Sequence, residues 1–263
     1  MKDQLNREIH LEKVPQKIVS LVPSQTELLS YLGLEDKILG VTKFCVYPAR
    51  LRKEKKVVGG TKTVQFDTIR GLNPDIILCN KEENTKEMVR ELQKIAPVHV
   101  SEINNFEDSL DLIAMYGELF ECVGKSEELI EDLKAEMKKF QAQIPEKGLK
   151  VAYLIWKNPW MAAGGNTFIN SMLKLNGLKN VFESDAERYP QTSLRKLKLL
   201  KPDLIFLSSE PYPFKRAHIQ EIKEVCDVPI LQVNGEFFSW YGSRSLSAFS
   251  YFEDFQKQVS KSL

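Results

Sequence analysis

The sequence predicts an α/β protein of two lobes, each with a mostly parallel central sheet flanked by helices, joined by a single long backbone helix. Three observations carry this. Short apolar runs punctuated by Gly and Pro alternate with stretches of helical periodicity, the pattern of parallel strands covered on both faces. A motif from the first half of the chain returns in the second. Between the copies lies one long amphipathic stripe.

The apolar runs place strands at 17–22, 38–42, 75–79, 98–101, 150–155, 203–208 and 229–233. The repeat is Leu72-Asn73-Pro74-Asp75-Ile76-Ile77-Leu78, answered 128 residues later by Leu200-Lys201-Pro202-Asp203-Leu204-Ile205-Phe206. In each, proline ends a helix, because its predecessor is pushed out of the αR region, and an apolar strand follows. Ala96-Pro97-Val98-His99-Val100 is answered by Val228-Pro229-Ile230-Leu231-Gln232-Val233, and Leu32-Gly33-Leu34 by Asn176-Gly177-Leu178. Three pairs in one order predict two lobes of similar topology. The stripe Leu129, Ile130, Leu133, Met137, Phe140 and Ile144 predicts a helix over 126–144, about 28 Å long at 1.5 Å per residue, stopped by Pro145, with the second lobe opening at Lys147-Gly148. The expected division is 1–122, a linking helix at 123–146, and 147–263. One stiff connecting helix predicts limited hinge motion.

The 263 residues, 43% of them apolar, suffice for real cores. With 37 Lys and Arg against 36 Asp and Glu, the formal charge of +1 offers no field to recruit nucleic acid. Cys45, Cys79, Cys122 and Cys226 lack C-x-x-C spacing and are expected as reduced thiols. The first eight residues lack the apolar run of a secretory signal, and no stretch approaches the length of a membrane span. As written, the chain is expected in the cytoplasm, or in the periplasm or anchored at the surface if a leader has been removed. It is expected as a monomer.

Two facing α/β lobes present ligand-binding loops at the carboxyl ends of their strands. After the first strand, Ser24 and Glu27 have the spacing of a capping box, read either as a plain helix start or as N–H groups meeting a ligand anion. The next loops supply Lys43, Phe44, Tyr47 and Pro48, then Gly59-Gly60-Thr61, then Asn80 to Glu83. The second lobe adds Trp156, Asn158, Pro159 and Trp160, then Arg188 and Tyr189, then Glu210, Tyr212 and Phe214. The densest loop holds Glu236, Phe237, Phe238, Ser239, Trp240, Tyr241, Gly242, Ser243 and Arg244. All three tryptophans thus follow strand ends. Such an aromatic set serves as local plugs or as a flat apolar surface for a macrocycle, a metal chelate or a corrinoid.

Catalytic signatures fail. There is no G-x-S-x-G elbow, phosphate-binding loop or dinucleotide fingerprint, and His10, His99 and His218 lack metal-ligand spacing. No covalently bound cofactor and no bound metal are expected. Gly164-Gly165-Asn166 predicts a turn before a helix starting near Phe168.

Asp3-x-Leu5-x-Arg7-Glu8-Ile9, Ile18-Val19-Ser20-Leu21-Val22-Pro23-Ser24-x-Thr26-Glu27, Gly33-Leu34, Gly40-Val41-Thr42 and the two Pro-Asp strand starts resemble the helical-backbone solute-binding proteins. That family serves ABC importers of cobalamin, ferric siderophores and haem, and the resemblance covers essentially the whole chain. Asn158-Pro159, Tyr189-Pro190-Gln191 and Ser243-Arg244 make it most similar to the cobalamin-binding branch. The resemblance implies a corrinoid held edge-on between aromatic loops, with Tyr47, Thr61, Asn158 to Trp160, Tyr189, Glu210 and Phe237 to Tyr241 lining the site. It also implies docking on a permease through one acidic residue per lobe. Asp67 matches in the first lobe, whereas the second position is Arg195, whose charge weakens docking.

The expected function is therefore binding, without catalysis, of a cobalamin-like or iron-chelate ligand. A corrinoid- or tetrapyrrole-modifying enzyme using Glu210 or Glu236 with Arg188 or Arg244 is the second reading, and a carrier or interaction module the third.

Overall fold

The computed structural model describes residues 1–144 and 148–263. The expected helix stop at Pro145 and lobe start at Lys147 lie outside the described residues. The chain forms two compact units. Unit 1 is Met1–Ile103, Glu107–Leu133 and Trp240–Arg244; unit 2 is Asn104–Phe106, Lys134–Ser239 and Ser245–Leu263.

Unit 1 begins with β1 (Ile18–Ser20), α1 (Pro23–Tyr31), β2 (Ile38–Val41), α2 (Leu51–Glu54), β3 (Lys56–Val57) and α3 (Phe66–Leu72). It continues with β4 (Ile76–Asn80), α4 (Lys86–Leu92), β5 (Val98–Ser101) and α5 (Phe106–Leu119), whose first residue belongs to unit 2. The five strands are parallel in the order β3-β2-β1-β4-β5. Every residue of β4 is buried, as a continuous apolar run between two helical layers requires. Val19, Leu21, Ile69, Ile77 and Leu92 centre the core on one face of this sheet.

The opening motif has a mechanical reason. The buried Asp3 carboxylate accepts from the Leu5 and Arg7 amides (both 3.0 Å), the Val100 amide (3.1 Å) and the Arg7 guanidinium (2.6 and 2.8 Å). Arg7 also donates to the Val98 carbonyl at 2.9 Å. The amino-terminal turn is thereby clamped along the outer edge of β5.

The linking helix α6 (Val123–Gln141) starts and ends three residues earlier than its apolar stripe suggests. Leu129 and Leu133 are buried within unit 1, and Phe140 packs on Phe249 and Phe252 within unit 2. No helix of the described residues is long and apolar enough to cross a membrane.

Unit 2 contains β6 (Lys150–Trp156), β7 (Trp160–Ala162), α7 (Phe168–Leu175), β8 (Lys179–Asn180), β9 (Gln191–Thr192) and α8 (Leu194–Leu200). Then follow β10 (Leu204–Ser208), α9 (Arg216–Lys223), β11 (Ile230–Val233), α10 (Gly235–Ser239) and α11 (Arg244–Ser262), the first residue of which lies in unit 1. The sheet runs β11-β10-β6-β7-β9, with β8 on β6. β6, β8, β10 and β11 are parallel; β7 and β9 pair antiparallel. The turn at Gly164-Gly165 leads into α7 as expected, with Thr167 accepting from the Asn170 amide at 3.1 Å.

The repeated motif is one device used in both units. α3 and α8 end on left-handed residues, Asn73 (φ 46°) and Lys201 (φ 48°), each followed by proline. Asp75 then accepts from the Gln16 and Lys17 amides (2.8 and 3.0 Å), and Asp203 from the Lys150 amide (2.7 Å), so each carboxylate pins the amino end of the neighbouring strand. Gly33 (φ 78°) and Gly177 (φ 69°) close α1 and α7 in the left-handed conformation that favours glycine.

One expectation is corrected. Ser24 and Glu27 do not form a capping box: the N-cap of α1 is Val22, with Pro23 at the first helical position, where its missing N–H costs nothing.

Candidate functional site

In unit 1 the strand order reverses direction between β1 and β4, and open α/β sheets bind ligands at the carboxyl ends flanking such a reversal. A buried polar cluster occupies that point. The Gln25 amide nitrogen, on α1, donates to Ser101 Oγ (2.6 Å) and the Tyr241 hydroxyl (3.0 Å) and lies 3.4 Å from the Cys79 carbonyl. Its Oε1 accepts from the Tyr116 hydroxyl at 2.8 Å. Asn80 Nδ2 donates to Ser101 Oγ at 2.9 Å, and Ser24 hydrogen-bonds Tyr241. Burial pushes the Tyr241 phenol up to about 12 and that of Tyr116 well above its ordinary value, so both stay protonated donors at neutral pH.

Beside this cluster stand Tyr47, Trp240 and Arg244. The Tyr47 and Trp240 rings meet edge to face at 5.8 Å. The Arg244 guanidinium lies 3.8 Å from the Tyr47 centroid and donates through Nε to Glu27 at 2.9 Å. Stacking and ion pairing together fix the arginine's plane. Tyr47 is 38% exposed and Phe44 48%, with Lys43 Nζ 5.0 Å from the Phe44 centroid. Thr61 is half-buried and its carbonyl accepts from Asn84 Nδ2 at 2.8 Å.

Unit 2 carries an aromatic wall at the carboxyl ends of β6 and β10. Trp156, 39% exposed, meets Tyr212 at 5.3 Å; Tyr212 meets Phe214 at 4.9 Å; Phe214 stacks on Trp160 at 6.0 Å and 10°. His218 buttresses the wall: Nδ1 accepts from the Lys215 amide at 2.9 Å, and the ring centroid lies 5.5 Å from that of Tyr212. Lys157 lies 5.0 Å over Trp160 and pairs with Glu221. Asn158 is exposed at the turn between β6 and β7.

The remaining residues singled out from sequence divide by burial. Phe238 has no exposure and packs on Tyr153, Phe252 and Phe255 as core, whereas its neighbour Phe237 is half-buried and stacks on Tyr251 at 4.8 Å. Ser24, Asn80, Trp160 and Tyr241 are buried supports. Arg188 bonds Asn104, Tyr189 is half-buried, and Glu210 accepts from Ser239 Oγ at 3.0 Å. Arg188, Arg244 and Glu210 are thus each engaged by a protein group. Among the described residues no three His, Cys, Asp or Glu side chains gather as metal ligands.

Sequence reasoning missed Gln25, Ser101 and Tyr116, which organise the unit 1 site, and Glu27 as the partner of Arg244. The 217-residue separation of that last pair leaves no local signal. Gln25 inside an otherwise apolar helix face was the one hint.

Comparison with known proteins places this architecture. A model of the periplasmic binding protein family matches residues 18–233. An uncharacterized ABC transporter substrate-binding lipoprotein, YvrC of Bacillus subtilis (strain 168), is 30% identical over 212 residues, 77% of this chain and 67% of the relative. The crystal structure of the periplasmic vitamin B12 binding protein BtuF of Vibrio cholerae aligns with a TM-score of 0.75 at 20% identity, over 94% of this chain and 99% of that one. The periplasmic heme-binding protein RhuT of Roseiflexus sp. RS-1 aligns with a TM-score of 0.79 at 17% identity, over 92% and 98%. The repeated helix–proline–strand device, the parallel sheets, the linking helix and the family match agree: this chain belongs to the periplasmic binding protein family.

Proposed function

We propose that this chain is the substrate-binding component of an ABC importer, and that it takes a bulky, flat, metal-containing ligand, a cobalamin-like corrinoid or a haem-type or ferric chelate. The observation that carries the reading is the pair of aromatic surfaces at strand carboxyl ends. Tyr47 with Trp240 and Arg244 in unit 1, and Trp156 with Tyr212 in unit 2, are large, partly exposed and held rigid by their neighbours. Such preformed apolar faces bind planar ligands with little ordering cost. Known proteins of this architecture are named for vitamin B12 and heme, which supports the same ligand class. The chain acts by binding, outside the cytoplasmic membrane, a reading supported by relatives named as a lipoprotein and as a periplasmic protein.

Docking on the permease involves the two equivalent helices α3 and α8. Asp67, 96% exposed in the first turn of α3, provides the acidic contact, and Arg195 at the matching position of α8 requires a different complement on the permease.

Tryptophan quenching on titration with cyanocobalamin, haemin and ferric siderophores tests the binding claim. A Kd below about 1 μM for one of them is expected, and no binding tighter than about 100 μM to any of them refutes it.

A further inference from the structure

Residues Trp240–Arg244 belong to unit 1, although Ser239 before them and Ser245 after them belong to unit 2. Polar contacts from unit 1 hold this short piece. The Tyr241 hydroxyl takes the Gln25 amide at 3.0 Å and lies 3.4 Å from Ser101 Oγ. The Gly242 amide donates to Ser109 Oγ on α5 at 2.9 Å, and Arg244 Nε donates to Glu27 at 2.9 Å. Gly242 has φ +83°, the left-handed conformation that favours glycine, and it sits in ordinary contact range of Leu28 on α1.

The side chains divide their labour. Tyr241 is buried, with its phenol spent on Gln25, Ser101 and Ser24. Trp240 and Arg244, on either side of it, are half-buried and flank Tyr47. Gln25 is itself fully buried, and its carbonyl oxygen is held by Tyr116, so its amide nitrogen is turned toward Ser101 and Tyr241, with the Cys79 carbonyl further off at 3.4 Å. An amide fixed in this way fixes its acceptor, because a buried donor left unmatched is costly.

We infer that the amide–hydroxyl cluster centred on Gln25 is a latch that seats residues 240–244, making Gln25 and Tyr241 positioning residues for the aromatic face formed by Tyr47, Trp240 and Arg244. The inference rests on the ligand-binding reading for its consequence, but not for its test. The unit 1 face is assembled from two distant parts of the chain, and its geometry depends on buried groups beneath it.

The test uses the full chain. With Trp156→Phe and Trp160→Phe, Trp240 becomes the sole tryptophan. Adding Tyr241→Phe keeps the buried ring and removes the hydroxyl; Trp240 emission is expected to shift to the red, and its acrylamide quenching constant to rise about twofold as the segment loosens. Tyr153→Phe deletes a comparable buried hydroxyl contact, to Ser208 Oγ at 3.2 Å, and is expected to leave Trp240 emission unmoved. In the otherwise wild-type chain, Tyr241→Phe is expected to weaken binding of cyanocobalamin or haemin about tenfold. Should Tyr241→Phe fail to fold, Ser109→Ala, which strips the acceptor of the Gly242 amide, takes its place. Unchanged Trp240 emission and quenching in the folded variant overturns the latch. Absence of ligand binding by the wild type overturns the proposed function instead, and leaves the emission result standing.

Discussion

Lowering the pH should weaken this protein through one side chain, His99 on β5. The ring has no exposure, packs edge-on against Tyr116 at 5.4 Å, and both its nitrogens lack a hydrogen-bond partner. Burial pulls its pKa down from 6.5 to about 4, with Asp3 opposing and Arg7 adding to the effect. Because the folded pKa lies below the unfolded one, the unfolded chain takes up a proton that the native chain refuses. The stability tied to neutral His99 is therefore complete above pH 6.5 and falls as the pH drops toward 4. From these two values the loss at pH 5 is about 2 kcal/mol. His99→Leu keeps a side chain of similar volume, removes both unmatched nitrogens and has nothing to titrate. Urea unfolding followed by far-UV circular dichroism at pH 7.5 and 5.0 compares the two proteins. The variant is expected to be the more stable at pH 7.5 by about 1 kcal/mol. Its advantage is expected to widen by about 2 kcal/mol at pH 5.0, a figure specific to His99 because all other groups are shared. A gap that changes by less than about 0.5 kcal/mol between the two pH values refutes the argument.

Further outcomes follow from other sites. Asp3→Ala leaves the Arg7 guanidinium and three backbone amides without their acceptor and is expected to cost about 3 kcal/mol in the same urea assay. Burial pushes Cys79 up to about 12 and raises Cys45 as well, so a thiol reagent at pH 8 should leave both untouched in the native protein and label all four cysteines in urea. Trp156→Ala removes the exposed ring of the unit 2 wall and is expected to weaken ligand binding by about tenfold or more in a direct titration, with unfolding midpoints changed little.

Much of the fold was legible because buried parallel strands announce themselves. All seven expected strands form, with boundaries moved by at most two residues; β5 matches its expected span. β3, β8 and β9 are two residues long and polar or mixed, so neither alternation nor an apolar run marks them, and β7, although apolar, is only three residues long and follows a turn. The site was legible only as a set of loops. Phe237 and Phe238 are identical letters side by side, yet one turn of α10 sends Phe238 into the core and leaves Phe237 on Tyr251. Glu27 carried the spacing of a cap, but Pro23 already occupies the helix start, and the carboxylate serves Arg244 instead. Local pattern predicts local partners, and the contacts that build this site are not local.

The seating of residues 240–244 bears on how the protein is made. A ribosome releases the chain from its amino terminus, and a unit that was contiguous in sequence could close as soon as it emerged. Unit 1 cannot. Until Tyr241 arrives, Gln25 and Ser101 lack one of their buried partners, and until Arg244 arrives its ion pair with Glu27 is not formed. With 244 of 263 residues needed before the first unit is whole, the nascent amino-terminal half must wait, partly finished, for nearly all of the rest to be synthesised.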